Sequence, residues 1–315
     1  MIGIVFSTLA GFFWAVAIII YKKTGDIFSP VSLNLFKCLL AIVCLIPLML
    51  IMGVDFFPSK SFNDYLLISI SGVIGIAVAD SLFFAALRRV GASYMAVIDC
   101  LYLPSILLTS FLYLDERMGI NGIIGGVLVF SGIFLGSYSK KTDNSIKSKD
   151  LLYGTILGFL AIFFIALSIV MVKDLLKGSN EVWVVFLRNG AGTISLILFT
   201  LASPERKKIF NDLIPSKDFK SNLCAAFANF LALLFWITGM KYALVSIAAI
   251  LNQLSIVFIY ILAVIFLKEK ATKLKTLSVL LALSGASIAI FNDVSLSFYK
   301  VYFTKILNFI IQIIR

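Results

Sequence analysis

The sequence of 315 residues contains no histidine. That absence excludes His-based zinc sites, Ser–His and Cys–His nucleophilic catalysis, and haem–His ligation. Cysteine is scarce: Cys38, Cys44, Cys100 and Cys224 each lie in an apolar run, with no CxxC spacing. They read as small buried hydrophobes, not as disulfides or metal ligands. No GxxxxGK[ST] loop is present, so this chain does not hydrolyse ATP. No acidic DDxxD-like cluster supports metal-dependent prenyl transfer. No enzyme activity, cofactor or metal is therefore expected. Asn-x-Ser/Thr sequons are also missing. The first residues lack a basic stretch and a small-residue cleavage site, so residues 3–21 read as a retained span.

Charge is the largest shortfall. Only 14% of residues are charged, against about 25% in an ordinary soluble protein. Apolar residues make up 61%, and the mean hydropathy is +1.07. A soluble globule of this size has too little interior to hide that much apolar surface. The net charge of +11 would suit nucleic acid, but Lys and Arg in membrane-protein loops account for it, and no nucleic-acid partner is expected. The composition implies an all-α polytopic membrane protein whose solvent is the lipid bilayer.

Charges and prolines divide the apolar runs into ten spans, near 3–21, 31–52, 65–86, 92–113, 119–138, 151–172, 182–202, 222–240, 244–267 and 276–292. Each is close to the ~20 residues that a helix needs to cross a bilayer. The hydrophilic stretch 139–150 separates five spans from five. It sets off a first unit, 1–138, from a second, 151–292.

The two units look related. With a shift of 151, residues 3–22 match 154–173 at eight of twenty positions, including Phe12/Phe163, Phe13/Phe164, Ala15/Ala166 and Lys22/Lys173. The same shift sets Lys37 on Arg188. A shift of 153 sets Asp99 on Asn252, Glu116 on Glu269 and Gly132 on Gly285. An odd number of crossings has a geometric consequence: the second unit must begin on the opposite face. The expected fold is ten transmembrane helices as two inverted five-helix repeats. Such repeats are a recurring plan of secondary transporters, with the substrate site between them near the midplane.

Several motifs carry a resemblance. These are Phe12-Phe13-Trp14-Ala15, a basic residue early in the second span, Phe83 through Ser93 (FFAALRRVGAS), Pro104, Leu114-Asp115-Glu116-Arg117 and the glycines of the fifth span. The second unit echoes them with Trp236, Gly239-Met240-Lys241-Tyr242-Ala243-Leu244 and Leu267-Lys268-Glu269-Lys270. Over about residues 3–292 the chain resembles the EamA domain of the drug/metabolite transporter superfamily. The resemblance implies two EamA repeats and transport, with substrates ranging over amino acids, sugars, nucleotide-linked metabolites and drugs. Two departures stand out: Lys37 where the family more often has Arg, and Val257 where Pro104 would repeat.

Loop charge bears on orientation. Odd-numbered loops hold 17 Lys and Arg, and even loops with the C-terminal tail hold 8. The positive-inside rule then places odd loops in the cytoplasm and both termini outside. The resemblance implies both termini inside, and orientation stays open between the two. The expected location is the bacterial cytoplasmic (inner) membrane.

Ionisable residues inside a span are costly, roughly 2.5–3.5 kcal/mol on insertion scales, and are paired or functional. Four stand out, Lys37, Asp80, Asp99 and Arg188, and their formal charges cancel. The spacing puts Lys37, Asp80 and Asp99 at one depth, ~10 Å in from the odd-loop face at 1.5 Å per residue. Two acids and an amine at one level can hold a shared proton or a substrate ammonium, so Asp80 and Asp99 are candidate proton-coupling residues. The plainer reading is an ion pair fixing the second, third and fourth spans; Asp80 could instead meet Arg88. Arg188 has no acid at its repeat-related positions, Leu233 and Asn252. It is satisfied either by backbone carbonyls or by a substrate carboxylate or phosphate.

Among neutral polar residues, Tyr102, Asn229, Asn252 and Gln253 are candidate cavity residues, with interhelical hydrogen bonds as the alternative. Trp14 and Trp236 could cover a metabolite ring or simply pack. Gly122-x-x-x-Gly126 and Gly132-x-x-x-Gly136 predict close helix approach, and Glu116 and Glu269 structural roles at the interface. The polar residues of 293–315 recur every three or four positions, which predicts an amphipathic helix lying on the membrane surface.

These readings converge on a secondary transporter of a small metabolite, amino-acid-like or another small polar or amphipathic solute. It would work by alternating access, proton-coupled or by exchange, as a monomer or weak homodimer. A flippase for lipids or lipid-linked sugars is the nearest alternative. A non-transport structural membrane protein is the alternative from another class.

Overall fold

The computed structural model describes residues 2–25, 27–114, 120–142, 148–214, 218–242, 252 and 254–289. The region 293–315, Gln253 and Glu116 lie outside them, as does most of the start of the predicted ninth span. The described residues hold helices and no strand. In chain order they are α1 (Ile2–Thr24), α2 (Pro30–Met52) and α3 (Phe62–Val90). Next come α4 (Ala92–Asp99 with Tyr102–Leu114), α5 (Ile120–Thr142), α6 (Ser148–Lys177) and α7 (Glu181–Ala202). The last are α8 (Phe219–Tyr242), α9 (Leu254–Phe266) and α10 (Lys273–Ala289). A short helix, Arg206–Asp212, lies between α7 and α8.

Six helices among the described residues are long and apolar enough to cross a membrane: α1, α2, α3, α6, α7 and the Phe219–Trp236 part of α8. Shorter apolar stretches are Ala92–Ile106, Ile123–Gly136 and Leu254–Phe266. Large apolar side chains point outward along these rods, with Phe134 at 78% exposure and Ile51 at 83%. That pattern suits lipid as the surrounding solvent, where outward apolar surface costs nothing.

Helix ends follow from local sequence. Ser29 caps α2 by accepting from the Ser32 N–H at 3.0 Å, Pro30 supplies the first helical φ, and Gly53 ends the helix in the left-handed region at φ 63°. Ser61 and Asp64 form a reciprocal capping box at the start of α3. Asn180 accepts from the N–H groups of Val182 and Trp183 at the start of α7. Gly91, at φ 82°, turns α3 into α4 with one residue.

Two helices depart from the expected straight spans. Within α3, Val73–Ala79 winds as a π-helix. In α4 the helix breaks at Cys100 and Leu101. Pro104 explains the break: it has no N–H for the Cys100 carbonyl four residues earlier, and its ring crowds that carbonyl. The 139–150 stretch also differs from a plain linker, because α5 continues to Thr142 and α6 begins at Ser148.

The packing trades helices between the two units. α1 lies against α8 and α9, while α6 lies against α3 and α4. α2 packs on α8, and α3 on α7. α2 meets α7, and α5 meets α10. Each of these contacts thus has a counterpart with the units exchanged, or is its own counterpart. Glycines permit the closest of these approaches: a Cβ on Gly132 would lie 2.8 Å from the Ser278 carbonyl oxygen, and one on Gly285 would lie 2.6 Å from the Gly125 carbonyl oxygen. Gly136 likewise abuts Tyr94, whereas the nearest atom to a Gly126 Cβ is 4.0 Å off, on Pro104.

Loops of one unit also seal helix ends of the other. Asp212 accepts from Ser32 Oγ at 2.6 Å and from the Ser29 N–H at 3.4 Å, over the start of α2. Phe56 accepts from the Trp183 indole at 3.1 Å, over the start of α7. Glu269 accepts from the Ala92 N–H at 3.1 Å, at the start of α4.

Candidate functional site

The strongest polar feature within the spans is the ion pair between Lys37 of α2 and Asp80 of α3. The Lys37 side chain is 9% exposed and that of Asp80 20%. The Lys37 ammonium also stands 5.7 Å from the centre of the Phe84 ring, within cation–π range. Phe84 in turn packs edge-on against Tyr21 at 4.8 Å. Tyr21 is buried, its hydroxyl has no hydrogen-bond partner, and it lies close enough to Asp80 to interact electrostatically. Arg88 does not hold Asp80; its carbonyl accepts from Lys22 at 2.9 Å at the helix end.

The π-helical turn sets the position of Asp80, which immediately follows it. A π-turn widens the helix and disturbs the regular i→i−4 ladder. The Asn34 amide of α2 reaches into that region, donating to the Ile76 carbonyl at 2.7 Å and to Ser81 Oγ at 3.0 Å. Ser81 passes the contact on to the Ala77 carbonyl at 2.7 Å. One turn further along α2, Lys37 meets Asp80. The same two helices are therefore tied by a polar plug and by an ion pair.

Asp99 stands apart from that pair. It ends the first half of α4 just before the break, and the Trp14 indole N–H approaches its carboxylate. The Trp14 ring packs on Phe83 at 5.8 Å. Tyr102 follows the break and lies between Asp99 and Arg188, within electrostatic reach of both. Asp99, Tyr102 and Arg188 all stay half-buried. Trp14 and Tyr21, seven residues apart, lie on one face of α1, so that helix serves both acids.

Arg188 of α7 donates to Ser168 Oγ of α6 at 3.0 Å, and its Nε is buried without a partner. Space for it comes from glycines. A side chain on Gly72 would strike the Arg188 backbone, one on Gly75 would strike Ser168 and come within 3.2 Å of the guanidinium, and one on Gly192 would lie 2.9 Å from Ile76.

The remaining sequence candidates scatter. Asn229 and Trp236 are half-buried on α8, and Asn252 is half-buried with its carbonyl facing Gly11 of α1, 3.1 Å from a Cβ built there. Gln253 lies outside the described residues. Among the described residues no group of three or more Cys, Asp or Glu is arranged to hold a metal ion. Sequence reasoning missed Tyr21.

The EamA-like transporter family model matches residues 1–138 and again 152–291. This chain belongs to that family. The double match assigns two EamA domains to it, the two units that exchange contacts in the fold. The EamA chain is an integral membrane protein with a transport role of the drug/metabolite type. No curated protein matches it. Among solved structures 27 chains match. One is a crystal structure titled only as that of a protein, 15% identical, covering 94% of this chain and 98% of its own, with a TM-score of 0.64. At that identity the likeness speaks for the fold alone.

Proposed function

We propose that this EamA protein is a secondary transporter that moves a small metabolite across the bacterial cytoplasmic membrane by alternating access. Its ten helices cross the bilayer as two inverted five-helix repeats. The substrate site lies where they meet. One observation carries this reading. The ionisable residues of the spans gather where the units abut: Lys37, Asp80, Asp99 and Tyr102 come from the first, and Arg188 with Ser168 from the second. A bundle that only had to be stable in lipid would not concentrate charge there.

The chemistry divides between two centres. Lys37 and Asp80 neutralise each other, and a proton delivered to Asp80 would release the ammonium. Asp99, with a tryptophan N–H and a tyrosine as neighbours, is the freer acid and the better proton carrier. Asp99 reaches Arg188 through Tyr102, which interacts with both, and a proton bound at Asp99 changes the charge on that chain of contacts; this links proton movement to solute movement. The main helix contacts between the units come in exchanged pairs, α1 on α8 and α9 against α6 on α3 and α4, which supports two interconverting arrangements.

Proteoliposomes carrying the full chain, loaded with a panel of unlabelled metabolites and given an inward pH gradient, test this. Solute flux driven by the gradient is expected in the wild type and absent in Asp99→Asn, while gradient-free exchange of the same solute survives. Unchanged gradient dependence in Asp99→Asn removes Asp99 from coupling. No flux of any solute in the wild type contradicts transport.

A further inference from the structure

We propose that Arg188 is the recognition residue for an anionic group, so that the solute is a small organic carboxylate or phosphate ester. This rests on the transport reading above and adds the chemical class of the solute. Two cations lie within the spans, and their surroundings differ. Lys37 has a full counter-charge in Asp80 and an aromatic face in Phe84. Arg188 has neither. Among the described residues no carboxylate lies within ion-pair distance of it, its NH2 donates to a neutral hydroxyl, and its Nε is buried with no acceptor. A guanidinium stays charged at any physiological pH and presents five donors in a fixed fork. Asp80 lies within electrostatic reach of Arg188 but is already ion-paired with Lys37, so the guanidinium has no contact carboxylate of its own and one neutral hydrogen-bond partner.

The fold has made room for that arrangement. Gly72 and Gly75 let α3 lie directly against the Arg188 backbone and Ser168, and Gly192 lets α7 close on Ile76 of α3. Ser168 fixes one side of the fork through NH2. Tyr102 stands within electrostatic reach, with a hydroxyl that can donate, whereas the Ser168 hydroxyl already donates to the Ile165 carbonyl. A fixed fork with an adjacent phenol, half-buried where the two units meet, matches the planar or tetrahedral oxygens of a carboxylate or phosphate. The guanidinium repels an ammonium and gains only neutral hydrogen bonds from an uncharged sugar.

The test uses the full chain purified in detergent, with malate, 3-phosphoglycerate and inorganic phosphate as anionic probes. Choline and glucose serve as the cationic and neutral controls. Thermal stabilisation by at least one anion is expected, with none from choline or glucose. In Arg188→Gln the apparent affinity for that anion should fall at least tenfold, and in Ser168→Ala a few-fold, with both variants monodisperse on size exclusion. Arg188→Lys separates the two sources of negative charge: phosphate binding should partly survive a point charge, whereas carboxylate binding, which needs the fork, should not. Stabilisation by choline or glucose alone, by no anion of the panel, or by an anion equally in wild type and Arg188→Gln overturns the proposal. Counterflow of the radiolabelled solute in proteoliposomes distinguishes the two layers. Anion binding without flux would leave the recognition residue standing and remove transport; flux of choline or glucose alone would do the reverse.

Discussion

Breaking the Lys37–Asp80 pair from either side should cost unequal amounts, and the structure sets the order. Removing one partner of a buried ion pair costs about 3–5 kcal/mol, because the other charge stays behind uncompensated. Asp80 is one-fifth exposed, so the lower end of that range applies. Lys37→Met keeps most of the stem's packing but strands the Asp80 carboxylate, at an expected cost of about 3 kcal/mol. Asp80→Asn strands the ammonium instead, yet Lys37 retains the Phe84 face at 5.7 Å. A cation–π contact is worth about 0.5–2 kcal/mol, so this variant should lose roughly 2 kcal/mol. The double variant Lys37→Met/Asp80→Leu carries no stranded charge and should lie within about 1 kcal/mol of wild type. Equilibrium unfolding in mixed detergent micelles, read by tryptophan fluorescence, gives the four free energies of the cycle. Losses that simply add in the double variant would refute the reasoning, because residues coupled through one contact cannot add. Equal losses in the two single variants would remove the part assigned to Phe84.

Two further outcomes follow from the hydrogen bonds. Asn34→Leu withdraws the amide from the Ile76 carbonyl and Ser81; it should destabilise by about 1–3 kcal/mol and raise amide exchange across Val73–Ala79 above that of the rest of α3, as hydrogen-exchange mass spectrometry would show. Glu269→Ala uncaps α4 at Ala92 and should lower stability by about 1 kcal/mol, with faster exchange confined to the first turn of α4; an unchanged rate there would mean that the cap is idle.

Much of this protein is written in its sequence on the scale of whole helices. Apolar runs between charges mark the spans because lipid tolerates little else. Lys37, Asp80, Asp99 and Arg188 are conspicuous because charge is otherwise scarce there. Facts that depend on helix winding are harder to read. Uniform 1.5 Å steps put Lys37, Asp80 and Asp99 at one depth, but depth does not say which neighbour each helix turns its acid toward: Asp80 meets Lys37, whereas Asp99 meets Trp14 of α1. Pro104 is a sequence mark that could have located the break in α4, although 92–113 reads as one unbroken span, whereas Val73–Ala79 is an ordinary apolar run that gives no sign of a π-turn. Tyr21 escaped notice because a tyrosine near a helix end usually marks the lipid interface. Only the fold shows its hydroxyl buried, within electrostatic reach of Asp80. Glu269 at the start of α4 is a contact between the two units, which spacing within one unit cannot reveal.

The central claim is that the polar cluster between the units opens to one side of the membrane and then to the other. A single cysteine at Tyr102→Cys, in a chain whose Cys38, Cys44, Cys100 and Cys224 have been replaced, measures this with a membrane-impermeant maleimide applied to either face of sealed vesicles. The account predicts labelling from both faces, each in its own vesicle orientation, while the vesicles remain tight to the reagent itself. Labelling from neither face, or from one face alone under every condition of pH and solute, would contradict it.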